Sequence, residues 1–238
     1  MTIISRDDPA RQASGPAVDV VVPVWNEVEM LPAFLARMAA LPQPVRLIFV
    51  DNGSTDGTLE LLRARPELTL LEHGQNLGYG QSLVDGMRLA EAPLVVIIDA
   101  DCEYPPEAIG ALLEKLQTAT VVYTSRFLDP SQLDMSPTRQ LGNRFVSLVF
   151  NLLYGQGVTD LYTGMKAFRR EAYDGIDFTR SGFEHVVELA ARLARRGHRI
   201  AEVPIAYRPR QTGRSKMKHI PEAAKALWLL VKYRFDHA

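Results

Sequence analysis

Cysteine is almost absent. Cys102 is the one cysteine in 238 residues, which excludes an internal disulfide framework and any multi-cysteine metal site. Long apolar runs are missing too. The longest near-apolar stretches, Phe145–Tyr154 and Ala223–Val231, are interrupted or fall short of the roughly 18 residues that span a bilayer. Neither charge sign dominates: Lys+Arg 27 against Asp+Glu 28 gives a net charge of -1. A general nucleic-acid binder with basic excess is thereby disfavoured. No lysine-bearing phosphate loop occurs, and no G-x-G-x-x-G follows the first apolar run, so the dinucleotide fingerprint is absent. The start of the chain, with Arg6, Asp7, Asp8, Pro9 and Arg11, has no apolar signal region. Residues 1–17 read as a flexible tail, and the cytoplasm is the expected compartment.

What is present is ordinary globular composition, 47% hydrophobic and 23% charged, in a length that suits one large domain. The near-neutral charge hides an asymmetry. Arg192–Lys218 carries nine Lys/Arg and one acid, Glu202, while the remainder carries 18 basic and 27 acidic residues. A basic segment beside an acidic body is either a solvated face or a site for an anionic ligand or membrane surface.

From Val18 the hydrophobic pattern alternates. β-branched runs at Val18–Val24, Val45–Val50, Leu68–Leu71, Pro93–Ile98 and Ala119–Thr124 read as strands. Segments of helical spacing lie between them, at Glu29–Ala40, Gly57–Arg65, Gly80–Ala90 and Pro105–Gln117. This predicts an α/β fold with a mostly parallel, Rossmann-like sheet and helices on both faces. The second half is less regular. It has helices at Arg139–Tyr154, Phe183–Arg196 and Pro221–Phe235, and strands at Met165–Phe168 and Arg199–Tyr207. One domain over 18–238 is expected, with halves at 18–125 and 126–238.

In such sheets ligands bind beyond the carboxyl ends of the strands. Three strands end in acid-bearing segments: Trp25-Asn26-Glu27, Asp51 to Thr58, and Asp99-Ala100-Asp101-Cys102-Glu103. Two carboxylates at i and i+2 past a buried strand repel, and a hard divalent cation removes that cost. Asp99 and Asp101 therefore predict a Mg²⁺ or Mn²⁺ site, with Glu103 as a third oxygen. Asp51 suits hydrogen bonding to a base or ribose, and its glycine-rich surroundings equally suit a structural turn. The five histidines show no metal-ligand spacing, and His185 reads as packing. Cys102 reads as a small buried side chain.

In order along the chain, these segments resemble the family 2 glycosyltransferases of GT-A fold, from about Val20 to Met217. Asp99-Ala100-Asp101 is similar to the family's metal-binding acid motif. Asp51-Asn52-Gly53-Ser54-Thr55-Asp56-Gly57-Thr58 is similar to its D-D-G-S-T-D-G-T, with Asn52 in place of the second acid. Thr124-Ser125-Arg126, Arg139-x-x-x-Asn143, Asp160-x-x-Thr163-Gly164 and Arg210 to Lys216 resemble the polyprenyl-phosphate sugar synthases, such as dolichyl-phosphate mannose synthase. The resemblance implies an inverting transfer of a hexose from a UDP- or GDP-sugar to a lipid phosphate. It implies that Pro23, Trp25, Glu27, Asp51 and Asp99 hold the nucleotide, and that Asp99, Asp101 and Glu103 hold metal and diphosphate. Arg126, Arg139 and Asn143 would bind the acceptor phosphate, and Arg210, Arg214 and Lys216 would close over phosphates.

The acceptor stays open at this level. A lipid phosphate is already a nucleophile, whereas a sugar or lipid hydroxyl needs a base, for which Glu184 at a helix start is the candidate. A non-catalytic nucleotide-sugar binding module is the remaining alternative. The apolar face of Arg139–Tyr154 is either core or a peripheral membrane contact at the inner face of the membrane. The terminal helix is expected to dock on the core.

Overall fold

A computed structural model describes residues 2–4, 17–129, 131, 133, 135–207 and 219–236, without the side chains of 2–4 and 219–223. Eight strands form one sheet: β1 (Thr2–Ile4), β2 (Val18–Val24), β3 (Arg46–Asp51), β4 (Thr69–Glu72), β5 (Leu94–Ile97), β6 (Val121–Ser125), β7 (Lys166–Arg169) and β8 (Ile200–Pro204). Among the described residues seven α-helices connect or follow them: α1 (Leu31–Ala39), α2 (Thr58–Arg63), α3 (Tyr79–Leu89), α4 (Ile109–Lys115), α5 (Pro137–Tyr154), α6 (His185–Arg195) and α7 (His219–Phe235). The strand order is β1-β4-β3-β2-β5-β7-β6-β8. All strands run parallel except β1 and β7, which are antiparallel to their neighbours.

The β-branched runs explain the sheet. β2 is buried along its whole length, as a strand covered on both faces must be. Its alternate residues feed two separate cores. Val21 joins Ile48, Val95, Tyr123 and Phe168 beneath α3, α5, α6 and α7. Val20 and Val22 join Phe49, Val96 and Ile98 beneath α1, α2 and α4. The helices supply matching stripes: Leu31, Phe34, Leu35 and Met38 of α1 recur at the 3.6-residue period.

Two expectations change. The presumed tail contributes an edge strand: Thr2 pairs with Glu72 and Ile4 with Leu70, since the β-branched start of the chain meets the otherwise open edge of β4. Residues 5–16 lie outside the described residues. The apolar face of α5 is neither wholly core nor wholly surface. Val146 and Phe150 are buried, while Leu141, Phe145, Leu148 and Leu152 are exposed. The terminal helix α7 docks through Ala226, Leu229, Leu230 and Tyr233. Among the described residues no helix is long and apolar enough to cross a membrane.

Candidate active site

The carboxyl ends of β2, β3 and β5 meet in one place because these strands are parallel neighbours. Val24, the last residue of β2, lies beside Asp51, the last of β3. The loops that follow are stitched together. The Asn26 amide donates to Ser54 Oγ at 3.0 Å, the Thr55 amide to Asn26 Oδ1 at 2.8 Å, and the Glu27 amide to Thr58 Oγ1 at 2.9 Å. Asn26 adopts a left-handed φ of 55°, which asparagine tolerates. This turn places Trp25 and Glu27 on the wall of the cavity.

Asp51 is fully buried. Its Oδ2 accepts the Gly53 and Ser54 amides at 3.0 and 3.1 Å, and Oδ1 has no partner among the described residues. The carboxylate thus serves the turn with one oxygen and holds the other in reserve. Gly53 is required here, at a φ of 76° with backbone of Gln75 2.6 Å from where a Cβ would stand. Asn52 has a reason to be an amide rather than an acid. Its Nδ2 donates to Asn76 Oδ1 at 3.1 Å, while its Oδ1 accepts the Leu77 amide at 2.8 Å and lies 3.1 Å from His73 Nδ1. A carboxylate would lose the donor half of this clamp.

Beyond β5, Asp99, Asp101 and Glu103 sit in one turn. Asp101 is buried, and its Oδ1 accepts the Glu103 amide at 3.0 Å. The Tyr79 hydroxyl donates to Asp99 Oδ1 at 3.0 Å, and the Tyr79 ring stacks on Phe183 at 5.2 Å. Gly164, in the bend before β7, lets its backbone approach, because a Cβ would meet Asp99 Oδ2 at 2.6 Å. Glu103 accepts the Tyr207 hydroxyl at 3.1 Å and lines the same cavity as the two aspartates. No cluster of three or more such ligands able to hold a metal occurs among the described residues. The three acids do not converge on one point in this conformation, and Glu103 keeps one oxygen on Tyr207. That donor set still fits Mg²⁺ or Mn²⁺, hard ions that complete their shells with waters and diphosphate oxygens. Cys102 departs from expectation. It is half-buried with a φ of 59°, and burial pushes its thiol pKa up while Arg37 opposes.

The opposite wall is cationic. Arg126, at the end of β6, donates from Nε and Nη2 to the fully buried Asp160 at 2.6 and 2.8 Å. Burial works against its charge, but Tyr104 and Asp160 more than offset this, so its pKa is raised. Asp160 is itself held by Glu202, the lone acid of the basic segment, which accepts the Thr159 and Asp160 amides at 2.9 and 3.0 Å. Arg139 and Asn143, one turn apart on α5, line the same cavity of about 390 Å³, together with Pro23, Trp25, Glu27, Asp99, Asp101, Glu103 and Arg126.

Two sequence-predicted groups stand outside the lining, and a third lies outside the described residues. Asp51 lies beneath the lining rather than in it. Glu184 is outside the lining and pairs with Lys225 of α7 at 2.9 Å, so a carboxylate expected as a base is held by a cation. Arg210, Arg214 and Lys216 lie outside the described residues. His185 packs against Phe178, fully buried, with its pKa pushed down by burial. Its neighbour Glu188 accepts from Thr179, Arg180, Arg192 and Tyr233, and despite burial its pKa falls to about 2.

Sequence reasoning missed Tyr79, Tyr104 and Lys166. Lys166 is buried at the start of β7, donates to the Thr163 carbonyl and lies 5.1 Å from the Tyr123 ring. Burial lowers its pKa to about 8, with Asp99 and Asp160 pulling it back. A lone lysine in a short strand carries no signal of burial, since the ammonium usually snorkels to water.

The model of Glycosyl transferase family 2 matches residues 19–176, the segment that holds the acids, Arg126 and Asp160. The chain belongs to this family. The undecaprenyl-phosphate mannosyltransferase of Micrococcus luteus is 31% identical over 208 residues, covering 83% of this chain and 86% of the relative. The polyprenol monophosphomannose synthase of Mycolicibacterium smegmatis is 30% identical over 225 residues, covering 89% and 84%. Among solved structures, glucosyl-3-phosphoglycerate synthase from Mycobacterium tuberculosis, in complex with Mg²⁺ and UDP, superposes with a TM-score of 0.69 at 20% identity, covering 94% of this chain and 79% of that one. This family 2 protein is an enzyme that transfers a sugar, and its fold is GT-A.

Proposed function

We propose that the enzyme moves a hexose from a UDP- or GDP-hexose to the phosphate of a polyprenyl phosphate, with inversion and with Mg²⁺ or Mn²⁺. One observation carries this reading: Arg126 and Arg139 share a single cavity with Asp99 and Asp101. Carboxylates on one wall suit a metal-bound diphosphate, and guanidinium groups on the other suit a second phosphate. Relatives named for undecaprenyl phosphate and polyprenol phosphate support the same acceptor class.

On the donor side, Pro23, Trp25 and Glu27 flank the nucleoside, and Asp51, just beneath the lining, is assigned to the nucleoside by resemblance. Asp99 and Asp101 hold the divalent ion. Held there by the two aspartates, such an ion would supply positive charge against the departing diphosphate. On the acceptor side, Arg126 and Arg139 orient the lipid phosphate, with Asn143 beside them. A phosphate oxygen attacks the anomeric carbon, the bond to the diphosphate oxygen breaks, and its electron pair departs with the nucleotide. No proton must be removed, because a phosphomonoester is ionised near neutral pH. The Glu184–Lys225 pair is consistent with that, as this reaction needs no base at Glu184. Because Asp160 fixes Arg126 beforehand, its charge stabilises the transition state without reorganisation. Arg210, Arg214 and Lys216 are assigned to phosphate contacts by resemblance. Acting on a membrane lipid, the enzyme works peripherally at the inner face of the membrane.

Incubation with labelled UDP- and GDP-hexoses, Mn²⁺ and a polyprenyl phosphate tests the reading. Label should enter the lipid fraction with one nucleotide. Label in 3-phosphoglycerate, or in a lipid alcohol alone, would overturn it.

A further inference from the structure

α5 has two working faces. Arg139 and Asn143 line the cavity, and Val146 and Phe150 fill the core. The opposite face presents Leu141, Phe145, Leu148 and Leu152 at i, i+4, i+7 and i+11, with relative exposures of 73%, 53%, 53% and 77%. α7 packs alongside: the Tyr154 hydroxyl donates to the Leu230 carbonyl at 2.8 Å, and Arg234 to the Leu153 carbonyl at 2.8 Å. Both helices cover the same core, so their outer sides face the same way. α7 adds Trp228 and Val231, exposed at 58% and 47%. Large apolar side chains clustered on adjoining helices mark an interaction surface.

Charge selects the partner. α5 contains no acid; α7 holds one, Glu222, and Asp236 just beyond it lies 3.8 Å from Lys232, against the cations Arg139, Arg144, Lys225, Lys232 and Arg234. Arg144 stands 5.0 Å from the Phe127 ring and Lys232 5.5 Å from the Trp228 ring, the cation–aromatic mixture that suits lipid headgroups. A second copy of this face would bring like charges together, whereas an anionic bilayer satisfies both the apolar side chains and the cations.

We propose that α5 and α7 lie in the plane of an anionic membrane as one docking face. Leu141, Phe145, Leu148, Leu152, Trp228 and Val231 enter the acyl boundary, and Arg144 and Lys232 meet lipid phosphates. This deepens the proposed function by setting Arg139 and the cavity mouth at headgroup level, where an acceptor phosphate arrives while its isoprenoid chain stays in the leaflet. The face is tied to the acceptor side of the fold. From α7, Lys225 holds Glu184, and the Tyr233 hydroxyl lies 3.1 Å from Glu188.

The test is co-sedimentation with vesicles of phosphatidylethanolamine and phosphatidylglycerol, without donor or acceptor, so that it is independent of the transferase reading. The protein should pellet with these vesicles, less so at high salt, and little with pure phosphatidylcholine. The double variant Leu148→Gln/Leu152→Gln should weaken partition by about tenfold or more. The same variant should transfer normally to a water-soluble, short-chain prenyl phosphate and poorly to a long polyprenyl phosphate in vesicles. Wild-type protein left in the supernatant, a variant that pellets equally, or a wild-type dimer that the variant makes monomeric would each overturn the docking face. Vesicle binding without transfer to any prenyl phosphate would instead refute the proposed function and leave the face standing.

Discussion

Arg126 reaches both oxygens of the Asp160 carboxylate, through Nε at 2.6 Å and Nη2 at 2.8 Å, and Asp160 is wholly shielded from solvent. Such a fork fixes the direction of a cation as well as its charge. Arg126→Lys keeps the charge and loses the fork, so transfer should slow by about 100-fold while nucleotide binding is unchanged. Asp160→Asn leaves a buried guanidinium short of its counter-charge and should cost about 3–5 kcal/mol of stability, read by urea unfolding. An Arg126→Lys enzyme of wild-type rate would separate Arg126 from the reaction.

Asp51 keeps one buried oxygen without a partner among the described residues. Asp51→Asn should weaken nucleotide binding by about 10- to 100-fold, the worth of one or two well-placed contacts. Calorimetric titration of UDP and GDP measures it. Binding lost here belongs to ground and transition state alike, so KM should rise with little change in kcat.

The acid patterning and the sheet were legible because both rest on local signals. β-branched runs mark buried strands, and carboxylates just past them mark the ligand edge. Asp99, Asp101, Arg126, Arg139 and Asn143 meet in one cavity because parallel strands end together and α5 follows β6. The contacts of Glu103 and Glu184 were not legible, since their partners Tyr207 and Lys225 are 104 and 41 residues away. Helical periodicity also shows that α5 is apolar without showing which apolar residues meet the core. The neighbouring helix α7 decides that, and leaves one stripe outside.

Glu184→Gln should leave transfer to polyprenyl phosphate within about threefold of wild type, because a phosphate nucleophile needs no base. The radiolabel assay reads this directly. Abolished transfer with intact donor binding would favour a hydroxyl acceptor.

Burial holds the Lys166 pKa down to about 8, against an ordinary value of 10.5. Between those values the unfolded chain binds more protons at this residue than the folded protein does. Its contribution to stability therefore rises with pH across that window, and the penalty is fully present below pH 8. Urea unfolding of wild type and Lys166→Met should show a stability difference that shifts in favour of wild type as pH climbs. A constant difference would contradict a depressed lysine.

The most direct measurement follows label from nucleotide sugar into extracted polyprenyl-phosphate lipid, with and without a chelator. The account predicts lipid-borne label that needs Mg²⁺ or Mn²⁺ and disappears in Asp101→Asn. Label that never reaches the lipid phosphate with any hexose donor, or reaches it undiminished in the chelator, would contradict it.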